Sequence, residues 1–115
     1  MDNPAPPTPA ADAARTADDW ISSGWQNYVF KKFREAEDDF RRAVQLDDGS
    51  ADAHYGLGLS LHAQQRIPAA IAALDAAQQR LEQSEAQADA GHRAILSQLI
   101  QVQRELFSAA PPEEA

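Results

Sequence analysis

Residues 20–46 read "WISSGWQNYVFKKFREAEDDFRRAVQL". Helix formers dominate, and strand or turn signals are nearly absent, yet a glycine stands inside the first half. Glycine in a helix interior costs about 1 kcal/mol relative to alanine, so Gly24 needs a reason. Sliding the chain by 34 supplies one. Ala17, Asp18, Gly24, Ala36, Ala43 and Ser50 fall on Ala51, Asp52, Gly58, Ala70, Ala77 and Ser84. Phe40 falls on Leu74 and Phe33 on Ile67, so large apolar positions stay apolar. Self-similarity at such a period marks stacked repeat units. A glycine kept in both copies marks a close approach of two helices, and Gly24 and Gly58 are expected to face Ala36 and Ala70 or their neighbours.

Local signals fill in the elements. Thr16 followed by Asp19 has the form of a capping box, opening a first helix over 17–30. Lys31 and Lys32 mark a turn. A second helix over 34–46 places Phe33, Ala36, Phe40, Ala43 and Val44 on one side. "DDGS" ends it, and Ser50 or Asp52 caps a third helix reaching about residue 64. Arg66 and Ile67 form the next turn. Pro68 stands in the first turn of a fourth helix, where proline is tolerated, and that helix runs to about residue 81. Residues 82–90 read equally as loop or helix extension. A fifth helix over about 86–107 carries Ile95, Leu99, Val102 and Leu106 on one stripe and Leu96, Ile100 and Phe107 on the next. Together they are broader than a coiled-coil seam.

The pattern resembles the tetratricopeptide repeat. Copy one, 17–50, shows Trp20, Gly24, Phe33, Ala36, Phe40 and Ala43 at the motif positions. It departs at Ser23, Asn27 and Asp48, where leucine, an aromatic and proline are usual. Copy two, 51–84, shows Leu57, Gly58, Leu61, Ile67, Ala70, Leu74 and Ala77, with His54 in place of tryptophan. A third copy is absent, because a glycine in register would fall at His92. The resemblance implies an all-α fold: antiparallel helix hairpins stacked as a short solenoid of about five helices. The domain covers 16–108, with the last helix (about 86–107) as a solvating cap. Residues 1–15 contain four prolines and too little apolar surface to offset ordering, so they read as a disordered arm. Residues 109–115 read as a disordered tail.

The resemblance also implies a concave groove lined by the first helix of each pair. Position by position this gives Ile21, Trp25, Tyr28 and Val29 from copy one, and Tyr55, Leu59 and His62 from copy two. Asp18, Asp52, Ala63, Asp89, Arg93 and Leu96 flank them. Trp25 stands out, since Trp20 already fills the motif's packing place and tryptophan is enriched at binding hot spots. Co-chaperone members clamp a carboxylate with Lys, Asn and Arg. Ile21 and Trp25 occupy two of those places here, so the expected guest is an apolar or amphipathic helix of a partner protein. The expected function is a non-enzymatic adaptor or assembly factor. The alternatives are a structural subunit that self-associates through Leu99, Val102 and Leu106 or docks permanently in a larger complex, and a secretion-type chaperone.

Composition narrows the classes. A net charge of −8 opposes generic nucleic-acid binding, which needs phosphate neutralisation. Without cysteine there is no disulfide staple or thiolate metal site. No segment approaches a membrane-spanning apolar run. The first residues lack the basic region and apolar core of a secretory signal, so the reading is cytoplasmic. His54 and His62, eight apart, are not the adjacent-turn pair of a helical zinc motif. No nucleophile constellation or phosphate loop is present, so no enzyme activity, metal or cofactor is expected. "EAEDDF" reads as a solvated face with helix-surface ion pairs, and the basic run Lys31, Lys32, Arg34, Arg41 and Arg42 as solvated surface.

Overall fold

The computed structural model describes residues 15–83 and 90–109. The arm through residue 14, residues 84–89 and the tail from residue 110 lie outside the described residues, and so do the readings that fall on them. The described chain is all helical: α1 (Ala17–Val29), α2 (Phe33–Leu46), α3 (Ala51–Ala63), α4 (Ile67–Gln83) and α5 (Ala90–Ser108). α1 pairs with α2 and α3 with α4 as antiparallel hairpins. The hairpins stack through α2, α1 and α3, and α5 lies on α4 and α3.

The backbone repeats more faithfully than the side chains do. α1 and α3 are 13 residues each, capped by Thr16 and Ser50, 34 apart. Thr16 forms the expected capping box: the Asp19 N–H donates to its Oγ1 (3.1 Å) and its own N–H donates to Asp19 Oδ2 (2.9 Å). Those bonds hold the Asp19 carboxyl below its ordinary range. Ser50 accepts from the Ala53 N–H at 3.1 Å. The hairpin turns repeat as well. Lys31 (φ 64°) and Gln65 (φ 68°) are both left-handed, the usual way to end a helix tightly.

Phe40, wholly buried, lies where α1, α2 and α3 meet. A Cβ on Gly24 would stand 2.8 Å from its ring, and one on Gly56 would enter it. Gly24 therefore faces Phe40 rather than Ala36, and Gly56 is a second point of close approach to the same ring. Gly58 faces Ala70 and Leu74 as expected. α3 touches all four other helices and is buried on nearly every side. The main core joins Phe40 to Leu57, Leu61, Leu74, Leu81, Leu96, Ile100 and Phe107. A smaller core gathers Trp20, Ala43 and Ala53, and the guanidinium groups of Arg15 and Arg42 lie 3.8 and 4.8 Å from the Trp20 ring centre.

Each departure from the repeat pattern is matched by a polar contact. Ser23 Oγ and Asn27 Nδ2 both donate to Asp39 Oδ2, at 2.7 and 2.8 Å. Asp48, where the resemblance leads one to expect proline, accepts from Arg80 through its backbone oxygen (2.8 Å) and carboxylate (2.9 Å). His54, where the resemblance leads one to expect tryptophan, places Nε2 3.1 Å from the same backbone oxygen.

The solvated reading of "EAEDDF" needs correcting. Glu37 is 7 % exposed because the α3–α4 turn folds over it. Its carboxylate accepts from Arg41 Nε (2.8 Å), Gln64 Nε2 (2.9 Å) and Arg66 Nη1 (3.0 Å), tying one hairpin to the other. Burial pushes its pKa up, but the bonds from Gln64 and Arg41 and the nearby Arg41 and Arg66 charges outweigh it. The pKa therefore falls below its ordinary 4.5. A carboxyl depressed on folding stabilises above its unfolded pKa, and that contribution is lost as pH drops through the folded one. Glu37→Gln is expected to cost about 1–2 kcal/mol at neutral pH, because solvent around the half-exposed Arg41 and Arg66 screens their pairing with it. Denaturant titrations at neutral pH and below 4.5 check this, because the gap between the two proteins should close in acid.

Ser60 presents the opposite case. Its hydroxyl is fully buried and has no hydrogen-bond partner. Removing an orphaned buried donor relieves a desolvation cost of about 1–3 kcal/mol. Ser60→Ala should therefore raise the melting temperature, and a fall would mean that the hydroxyl has a partner.

Candidate interaction surface

The seven groove residues do not share one environment. Trp25 is half-buried at the centre of a ring cluster. Its centroid lies 5.7 Å from Tyr28 (81° between planes), 5.0 Å from Phe40 (73°) and 6.2 Å from Tyr55 (49°). Tyr28 in turn meets Phe33 edge-on at 5.2 Å. Edge-to-face pairs at such distances contribute about 0.5–1.5 kcal/mol beyond area burial. The cluster is thus held by its own ring contacts. Ile21 and Leu59 are half-buried and pack against the same core.

Tyr55 belongs to the core, 8 % exposed. Burial, with Tyr28 beside it, raises its hydroxyl pKa. His62 is half-buried, with the Phe107 ring stacked on it at 3.8 Å and the planes 5° apart. At the other end of the same helices His92 Nε2 lies 3.5 Å from Asp52 Oδ1. The two contacts show that α5 runs parallel to α3. The capping helix occupies the His62 end of the expected groove, and the accessible apolar surface lies on α1.

There Val29 is 71 % exposed. With Ser22, Trp25, Gln26 and Phe30 it lines a shallow open depression with no charged residue in its wall. Sequence reasoning passed over Phe30 as a helix end. It is the C-cap of α1 and 73 % exposed. A phenylalanine next to a turn, outside the repeat's packing positions, was the available signal.

A second apolar surface lies on α5. Leu96, Ile100 and Phe107 face inward, while Ile95, Leu99, Val102 and Leu106 are 41–64 % exposed. On the α4 side, Arg104 Nε donates to Asp75 Oδ1 (2.5 Å) and Ser97 Oγ to Gln78 Oε1 (3.3 Å). These bonds tie α5 to α4, and their side chains line the polar cleft between the two helices.

The three histidines stand apart, beside Asp48, Phe107 and Asp52 respectively. No group of three or more metal-ligating side chains occurs among the described residues. None of their helices is long and apolar enough to cross a membrane. In the comparisons with known proteins, no family model, curated protein or solved structure matches the chain.

Proposed function

We propose that the protein is a non-enzymatic, cytoplasmic adaptor of tetratricopeptide type that holds an amphipathic helix of a partner protein against α1. The observation that supports this most directly is the pairing of a pre-packed Trp25–Tyr28 cluster with exposed Val29 and Phe30, in a wall without charge. A rigid aromatic floor loses little conformational entropy on binding. Helix-in-groove recognition uses apolar anchors one turn apart, and Trp25 and Val29 have that spacing. The net charge of −8 favours a guest whose outer face is basic.

A synthetic helix with a leucine face and a lysine face is the probe, followed by tryptophan fluorescence. Saturable binding is expected in the micromolar range, about −8 kcal/mol. V29E/F30E should weaken it about tenfold or more without altering helix content, because both side chains point to solvent. Binding that is absent, or that survives V29E/F30E unchanged, rules the reading out.

A further inference from the structure

Ile95, Leu99, Val102 and Leu106 are spaced four, three and four residues apart, the interval of a helix–helix seam. All four are exposed, and among the described helices α5 touches only α3 and α4. From this spacing, and from what is available to cover it, we infer that the face pairs with a second copy of itself, antiparallel, about a two-fold axis between Leu99 and Val102.

The chain's own remaining segments do not match the face. Residues 1–14, 84–89 and 110–115 contain one large apolar side chain between them, Met1. Charge favours a second copy. α1, α2, α3 and α4 are each net acidic by sequence, whereas α5 has two arginines against one glutamate. It is therefore the helix on which two acidic molecules approach with least repulsion. Gln98 and Gln103, flanking the seam by helical geometry, are neutral. Direction follows from register. Antiparallel pairing sets Ile95 against Leu106 and Leu99 against Val102, so every aliphatic has a partner. It also opposes the two helix dipoles.

α5 spans 19 residues, about 28 Å. One helix face of that length covers less than the roughly 800 Å² per partner of a standard interface. The pair is accordingly a reversible one, dissociating in the micromolar range.

Light scattering of the full chain against concentration is the first test. The mass should climb from 12.5 kDa toward twice that value, and L99E/V102E should stay monomeric throughout. Added salt should hold or tighten an apolar pair between acidic chains, and a pair that salt dissolves would overturn the assignment. The chain has no cysteine, so orientation can be read by cross-linking. A mixture of I95C and L106C should give the mixed disulfide. I95C alone should not, since its two copies would sit about 16 Å apart along the axis. Both side chains are exposed (64 % and 61 %), so the variants keep the fold.

A wild type that stays monomeric, a dimer that survives L99E/V102E, or a ready I95C homodimer overturns the inference. The guest surface on α1 is separable from it. V29E/F30E should leave the mass curve unchanged, and L99E/V102E should leave affinity for the synthetic helix unchanged. If V29E/F30E breaks the pair, the interface is on α1 and the inference falls.

Discussion

Phe40→Ala is expected to cost about 3–5 kcal/mol, a large share of the chain's stability. A domain of this size has roughly 5–13 kcal/mol in all. The upper part of the range is expected because of what surrounds the ring. It is fully buried and approached from α1 and α3 by Gly24 and Gly56, which have no side chains to move into a cavity. Trp25 abuts its edge but is itself held by Tyr28 and Tyr55. Urea unfolding followed by circular dichroism measures the loss. Phe40→Leu, which keeps most of the volume, should recover a good part of it. A Phe40→Ala loss below about 1.5 kcal/mol would mean that the three helices close over the gap.

Gly56→Leu is the complementary change, adding volume where Phe40→Ala removes it. Even a Cβ at residue 56 would occupy the Phe40 ring, and the ring has no free direction to move. Overpacking typically costs about 1–3 kcal/mol, and a whole leucine side chain here should reach or exceed the top of that range. The separation of α2 from α3 should grow with it. Gly49→Ala serves as the control. Its Cβ would meet only Asp47 Oδ1, at 3.4 Å, and no glycine here has positive φ. Its stability should be unchanged or raised slightly, because alanine restricts the unfolded chain more than glycine does. A comparable loss at 49 and 56 would show that the Phe40 contact does not set the cost.

These cases also show where the sequence was readable. Gly24 and Gly58 announced themselves because the period aligns them. Gly56 did not, because 34 residues earlier stands Ser22, which is exposed, so the close approach at Gly56 belongs to one copy alone. Helix boundaries came within a few residues because Thr16, Ser50 and Pro68 act locally. Glu37 escaped because its surroundings on α2 are charged, and the groups that bury it, Gln64 and Arg66, arrive from the other hairpin.

The polar contacts made by Ser23, Asn27, Asp48 and His54 were hidden for the same reason. Each looks like a lapse from the repeat until its distant partner is known. On α5 both apolar stripes were visible, but which one turns inward depends on α3 and α4. The groove suffered most. Its residues were correctly placed along α1 and α3, yet Tyr55 lies in the core and His62 lies beneath Phe107, which a single repeat pattern does not encode.

The 34-residue recurrence of helix caps and turns sets how the chain can change in length. Substitution alters one contact, and the polar contacts at the irregular positions show that such changes can be compensated. Inserting or deleting one residue within α1 or α3 is different in kind. It would turn every later side chain of that helix by about 100°, carrying Gly24 away from Phe40 or Gly58 away from Ala70. The hairpins accept new letters far more readily than a new frame.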